Sequence, residues 1–350
     1  MYKIVLTGGG TGGHVLPNVA IIEEMLSRGY EVFYIGSRDG MEKDIIPKLG
    51  VPYYDTDTVK LSRSEPLKNI KIPYLLPKGI TEAKKILKAL TPDAVFSKGG
   101  FVSLPTAYAA HFLKIPVITH ESDASLGMAN KLVSSFAKLL IATNPNISAK
   151  CKTVVYNNPL RKKIFAGNAL KVFENARFDA SKPVLLVVGG SSGAKKINDF
   201  VILNLDALTK KYNVLHITGK SADSVSAEGY KSTQFVSDIE NYYAAADYVI
   251  SRAGANAAEE LMALNKKVLF VPLSKDASRG DQILNARKLE EQGFARALEE
   301  EYLTLDNVIN ELNALRDMPR NSYRYDNDTP KKIVDEIVNV IKENRSQAER

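Results

Sequence analysis

A single cysteine, Cys151, stands in 350 residues, so no disulfide can form within the chain, and a reducing cytoplasm is the compartment that suits it. Nothing places that cysteine beside a helix N-terminus or a base, which leaves it a small structural residue. No apolar run approaches the roughly 18 residues of a membrane span. The opening "MYKIVLTGGG" begins as a strand without a charged-then-apolar leader, so secretion is not expected. No histidine pair has helical spacing and no cysteine cluster exists, which argues against a metal site. Also missing are the Gly-Lys-Ser/Thr of a P-loop and the Gly-x-Ser-x-Gly elbow of a serine hydrolase.

What is present is the balance of a soluble globular protein, 45% apolar and 25% charged, long enough for two domains. Short apolar strands such as "KIVLTG", "EVFYIG", "PVITH" and "PVLLVVGG" alternate with helical stretches. In the first of those stretches Val15, Val19, Ile22 and Leu26 form one stripe. The alternation predicts parallel sheets with helices on both faces. The pattern also repeats. A shift of 180 carries Gly9 onto Gly189, Thr11 onto Ser191 and Gly13 onto Gly193. A shift of 154 carries Asp93 onto Asp247, Ser97 onto Ser251, Lys98 onto Arg252 and Gly100 onto Gly254. Two tandem Rossmann-like domains account for both shifts, with a boundary in the polar, proline-broken stretch 156–183. The expected domains are 1–158 and 159–330, followed by a docked helix near 331–346 on the stripe of Val334, Ile337 and Ile341.

Every Gly-rich stretch falls at a strand's carboxyl end, where such sheets bind ligands. "TGGGTGGH" fits G-x-G-x-x-G at Gly8, Gly10 and Gly13, the fingerprint of a dinucleotide loop. A dinucleotide fold also wants an acid at the end of the second strand. Asp39 is the residue available for that role, since Glu31 lies at the wrong end. His14 follows the last glycine. A helix N-terminus favours its neutral imidazole, and a neutral histidine at a ligand site can act as a general base. His120, Glu121 and His216 also lie near strand ends, whereas His111 reads as a helix-face residue. Two Asp-x-Asp pairs, Asp55 with Asp57 and Asp326 with Asp328, read as surface residues.

The net charge of +7 is uneven. Residues 60–90 carry eight basic and two acidic side chains, interleaved with apolar ones. Lys68, Lys71, Tyr74, Leu75, Leu76 and Lys78 suit an anionic membrane surface, or equally a solvated helix with a core stripe. With one aromatic in the segment and no nucleic-acid motif elsewhere, nucleic acid is not an expected partner.

"GGGTGGHVLPN", "SKGGFVSLP", "IPVITHESDASLGMANK", "NNPLR", "GGSSGAKKIN", "ISRAGANAAEE" and "GDQILNA" occur in one order from the first strand to about Leu298. In this the chain resembles the MurG family, the bacterial transferases that complete the lipid-linked cell-wall disaccharide. The resemblance implies an α/β protein of two Rossmann-like doubly wound parallel-sheet domains facing a cleft, the GT-B fold. It implies an inverting transferase that moves GlcNAc from UDP-GlcNAc to the 4-hydroxyl of MurNAc in lipid I, with no cofactor or metal required. Its partners would be UDP-GlcNAc, lipid I, the anionic cytoplasmic face of the cell membrane, and other cell-wall synthesis and division proteins.

Carried over motif by motif, Arg161 would contact the nucleoside, Ser191 the diphosphate and Val236 the uracil. Ala255, Asn256, Ala257, Ala258 and Glu259 would face the diphosphate and sugar from a helix N-terminus. Glu260 would hold the ribose, and Gln282 and Asn285 would read the sugar. Thr11, Gly12, Gly13 and His14 would form the acceptor loop with Asp123 nearby. His14 is the candidate base and Glu121 the reserve. Three positions depart from the family pattern: Asp123 replaces an amide, Ser192 a glutamine, and Asp281 the first of a glutamine pair. The competing readings are another membrane-associated GT-B enzyme such as a diacylglycerol glucosyltransferase, an NAD-dependent oxidoreductase, and a noncatalytic sugar-nucleotide sensor.

Overall fold

A computed structural model describes residues 1–58, 72–174, 176–190, 193–219, 226–274, 280–319 and 322–348. The chain divides into two compact units. One is Met1–Arg161 with Asp326–Arg350, the other Lys162–Tyr325.

Unit 1 runs β1 (Lys3–Thr7), α1 (Gly12–Ser27), β2 (Glu31–Ser37), α2 (Glu42–Ile45), β3 (Tyr53–Thr56), α3 (Ile72–Leu90), β4 (Ala94–Ser97), α4 (Leu104–Phe112), β5 (Val117–Glu121), α5 (Met128–Val133), β6 (Leu139–Ala142) and β7 (Lys152–Val155). Its seven strands lie in the order β3-β2-β1-β4-β5-β6-β7, all parallel. Unit 2 runs α6 (Leu170–Phe173), β8 (Val184–Val188), α7 (Lys195–Leu203), α8 (Leu205–Lys211), β9 (Asn213–Ile217), β10 (Ser226–Ala227), β11 (Tyr230–Thr233), α9 (Ile239–Ala245), β12 (Tyr248–Ser251), α10 (Ala255–Ala263), β13 (Lys267–Phe270), α11 (Asp281–Glu291), β14 (Arg296–Ala297) and α12 (Leu305–Asp317). Its order is β10-β11-β9-β8-β12-β13-β14, parallel apart from the short β10. The last helix, α13 (Thr329–Ala348), belongs to unit 1.

The strands are continuous Val, Ile and Leu runs because helices cover both faces of each sheet. In unit 1 one face carries Ile4, Leu6, Phe96 and Ile118 against α1, and α13 adds Ile333, Val334 and Ile337 to the same core. That second layer widens the buried side of α1 beyond the single expected stripe. Ile21 and Met25 are buried with Val15, Val19 and Ile22, while Leu26 turns outward and is 39% exposed. The other face, with Val5, Val95 and Val117, packs against α3 and α4 through Ala83, Leu87, Leu104 and Ala107.

The two internal repeats survive down to single hydrogen bonds. Asp93 Oδ2 accepts the N–H of Lys3 at the start of β1 (2.8 Å), and Asp247 Oδ2 accepts that of Val184 at the start of β8 (2.7 Å). Asn18 on α1 donates to the Tyr34 hydroxyl (2.9 Å), and Asn198 on α7 pairs with His216 Nε2 (3.0 Å). In each unit the strand order reverses direction between equivalent strands, β1 and β4 in one and β8 and β12 in the other. These are the points where an open parallel sheet leaves a crevice for ligands.

Candidate active site

In unit 1 the loop from β1 into α1 is held from below by buried polar groups. Tyr34 donates to Gly8 O (2.7 Å) while accepting from Asn18. Burial raises the Tyr34 phenol well above its ordinary range, so it stays a neutral donor. The second support is Glu42, at the start of α2 and fully buried. Its Oε2 accepts the N–H of Gly10 (3.0 Å), and its Oε1 accepts both the N–H (3.1 Å) and the hydroxyl (2.5 Å) of Ser37. Three donors compensate the desolvation of this carboxylate. Contact is so close that a Cβ on Gly9 would lie 2.1 Å from Glu42 Oε1.

The dinucleotide pattern calls for an acid at the end of β2, where Asp39 is the residue at hand. The acid that reaches the loop is Glu42, three residues further on. It binds the loop's own amide, an amide that a dinucleotide site would turn to pyrophosphate. The signal available was a Met-Glu pair opening a short helix after a Gly, which no spacing rule marks out.

His14 lies on the first turn of α1, its Nδ1 2.9 Å from Thr11 Oγ1. Its ring rests over Gly100, where a Cβ would come 3.3 Å from the imidazole and where φ is +76°, a left-handed conformation that favours glycine. Thus His14, held by Thr11, meets the loop after β4 at the β1–β4 switch point. Glu121, at the end of β5, is differently employed. Its Oε1 accepts from Asp123 N (3.0 Å), and its Oε2 accepts from Gly127 N (2.8 Å) and Asn130 Nδ2 (3.0 Å). It therefore organises the loop that carries Asp123. His120 is a core residue rather than a site residue. It is fully buried beside Phe96, and burial and then Lys98 push its pKa far down, so it stays neutral. His216 is likewise internal, between Tyr230 and Asn198, its pKa lowered to about 4 by burial.

In unit 2 the loop after β12 turns at Gly254 into α10, placing Ala255, Asn256, Ala257, Ala258 and Glu259 on its first turns. Glu260 is buried and receives the Tyr243 hydroxyl at 3.5 Å, and Glu259 receives that of Tyr323 at 2.5 Å. On α11, Gln282 Oε1 accepts from Leu273 N (3.0 Å) and Asn285 Nδ2 donates to Ala253 O (3.0 Å). Each amide braces a loop with one end, which orients its other end. Val236 is half-buried in the loop after β11, and Arg161 closes the unit 1 segment. Ser191 lies outside the described residues.

The expected membrane segment divides. Lys68 and Lys71 lie outside the described residues. Tyr74 is 73% exposed, but Leu76 packs on the unit 1 core beside a half-buried Leu75. Lys78 is exposed and pairs with Asp57 at 2.5 Å. Arg38 bridges Asp55 and Asp57, both at 3.2 Å, so this Asp-x-Asp pair is committed to cations of the chain itself. Asp326 likewise pairs with Lys332. Among the described residues no group of three or more His, Cys, Asp or Glu side chains is arranged to hold a metal.

The Glu42 brace makes a direct prediction. Glu42→Gln places an amide NH2 where an acceptor is needed and leaves buried donors unmet. It should destabilise the protein by about 1–3 kcal/mol. It should also speed amide hydrogen exchange at Gly10, read by mass spectrometry of the 8–13 segment. Exchange as slow as in the wild type would show that the carboxylate does not hold the loop.

Both units match known domains. Residues 4–141 match the glycosyltransferase family 28 N-terminal domain, and residues 184–347 match the glycosyltransferase family 28 C-terminal domain. A UDP-N-acetylglucosamine--N-acetylmuramyl-(pentapeptide) pyrophosphoryl-undecaprenol N-acetylglucosamine transferase from Lachnoclostridium phytofermentans is 44% identical over 353 residues, 99% of each chain. The protein of the same name from Clostridium botulinum is 44% identical over 348 residues, 97% of each chain. The crystal structure of Acinetobacter baumannii MurG superposes with a TM-score of 0.71 at 27% identity, covering 97% of this chain and 100% of that one. The chain therefore belongs to glycosyltransferase family 28, and within it to the MurG family of N-acetylglucosamine transferases.

Proposed function

We propose that this protein transfers GlcNAc from UDP-GlcNAc to the 4-hydroxyl of MurNAc in lipid I, inverting the α-linked donor to a β1→4 product. The observation that carries this reading is the 44% identity over 99% of both chains, which leaves neither unit unaccounted for. Unit 2 takes most of the donor: Val236 meets the uracil, Glu260 the ribose hydroxyls, and Ser191 the diphosphate. Arg161, the last residue of the unit 1 segment, contacts the nucleoside. Gln282 and Asn285 read the sugar with the amide ends left by their loop contacts. As the sugar departs, charge grows on the diphosphate. The N–H groups on the first turn of α10, Ala255 to Glu259, oppose that charge together with the helix dipole. No metal enters this scheme.

Unit 1 takes the acceptor on Thr11, Gly12, Gly13 and Asp123. His14 removes the proton of the attacking hydroxyl. For Nε2 to accept that proton, Nδ1 must carry the ring's own hydrogen and donate it to Thr11 Oγ1, and the 2.9 Å contact suits that tautomer. Glu121, with both oxygens engaged by N–H donors, is the weaker candidate base.

Lipid I is anchored in the membrane, so the enzyme works as a peripheral protein on the cytoplasmic face. Among the described residues no helix is long and apolar enough to cross a bilayer. Docking falls to exposed Tyr74 and the basic residues Lys68 and Lys71.

Radiolabelled UDP-GlcNAc supplied with lipid I should give labelled lipid II, and absence of transfer would refute the assignment. In the same assay His14→Ala should lower kcat by roughly 10²–10⁴-fold while UDP binding stays within about twofold. Unchanged turnover would remove His14 as base. For the membrane surface, Lys68→Glu and Lys71→Glu combined with Tyr74→Ser should weaken sedimentation with phosphatidylglycerol vesicles by about tenfold or more. Equal binding would return the segment to an ordinary solvated face.

A further inference from the structure

Lys98 immediately follows β4 at the β1–β4 switch point and is only 2% exposed. Its repeat partner, Arg252, immediately follows β12 at the equivalent point of unit 2 and is 9% exposed. Both units thus bury a cation at the base of their ligand crevice, but they balance it differently. Arg252 is paired with the Glu300 carboxylate and also donates to Val271 O (3.0 Å). Lys98 donates to a neutral group, the Ser122 hydroxyl, at 3.0 Å. Glu121 and Asp123 act on it through space. Among the described residues no carboxylate is in contact with this buried ammonium, an expensive arrangement, and a buried ionisable group of shifted pKa beside a ligand crevice is a functional-site candidate.

Ser122 follows β5 and is half-buried. Its backbone is pinned by Thr143 Oγ1, which donates to Ser122 O at 2.9 Å. Because Ser122 Oγ accepts from the ammonium, its own proton must point away from Lys98. We propose that Lys98 is a positioning residue: its ammonium commits the Ser122 hydroxyl proton to the diphosphate of the acceptor. The proposal rests on reading unit 1 as the acceptor side. Lys98 also balances the carboxylates of Glu121 and Asp123, which would otherwise repel an incoming diphosphate.

Protonation of Lys98 makes the device pH-dependent. Burial pulls the ammonium down to about 8, against the opposing pull of Glu121 and Asp123. From β5, His120 stays neutral. On the β1–α1 side the titratable group of the loop is His14, which the test variants retain. Above pH 8 the neutral amine can itself accept, and it draws the Ser122 proton inward. Acceptor binding should therefore be full below that pH and weaken as the pH rises through it.

The test measures label transfer to lipid I by the wild type, Lys98→Met and Ser122→Ala across pH 6.5–9.5 (about three units, spanning the Lys98 transition). Lys98→Met should raise the acceptor KM by about tenfold, the scale of one charge-assisted hydrogen bond, with the KM for UDP-GlcNAc unchanged within about twofold. The wild-type kcat/KM for the acceptor should fall above pH 8, and both variants should lack that step. If Lys98→Met fails to fold, Ser122→Ala carries the same measurement from a half-buried position. An unchanged acceptor KM, equal losses toward both substrates, or a step that persists in the variants overturns the proposal while leaving the transfer activity standing. A wild type that makes no transfer overturns both.

Discussion

The Gly-rich loop after β1 depends on one buried carboxylate. Glu42 reaches from the start of α2 beneath the Gly-rich turn and accepts the Gly10 amide, and with its other oxygen it ties down Ser37 at the end of β2. Gly9 must lack a side chain because the carboxylate lies against it. With the turn fixed, α1 starts at Gly12, and His14 is set over Gly100 within reach of Thr11. An ionised group is well suited to this task. Its hydrogen bonds to N–H and O–H donors are stronger than neutral ones, and its burial makes any loss of a donor costly. The same contact explains why a perfect dinucleotide fingerprint need not bind a dinucleotide. The peptide group that would meet a pyrophosphate is already bound to an anion from the chain.

Duplication and divergence then divide the labour. Both units keep the aspartate that caps the first strand and the asparagine that ties the first helix to the second strand. These are scaffold contacts, and they constrain each sheet in the same way. The units differ where ligands bind. The cation at the switch point is neutralised by Glu300 in unit 2, whereas in unit 1 its hydrogen-bond partner among the described residues is a hydroxyl. Unit 2 has a helix N-terminus and two loop-braced amides after β12, whereas unit 1 has a histidine beside a Gly-rich turn. In the proposed reaction a nucleotide donor and a lipid-linked acceptor would use these different endowments.

Much of this was legible in the sequence, because it follows from periodicity and repetition. The β-branched runs gave the strands, and the shifts of 180 and 154 paired residues that occupy equivalent hydrogen-bonded positions. What escaped are features that depend on distance through space. Glu42 sits on a four-residue helix with no periodic signal, and its partner Gly10 is 32 positions away. Lys98 is buried just past the end of β4, and His120 is buried within β5 beside Phe96, contacts that no local pattern encodes. Leu26 faces outward because α13, from the far end of the chain, covers the neighbouring side of α1 through Ile333 and Val334. The pairing of Lys78 with Asp57, 21 residues earlier, is likewise a contact through space that no local pattern encodes.

The central claim is that the two Gly-rich loops have parted company, the second serving the nucleotide and the first no longer able to. Hydrogen exchange during parallel titrations with UDP-GlcNAc and NADH tests it directly. UDP-GlcNAc should slow exchange in residues 189–194 and 254–260 of unit 2, and NADH should leave residues 8–13 of unit 1 unchanged. Protection of residues 8–13 by NADH, with no response to UDP-GlcNAc in unit 2, would contradict the account.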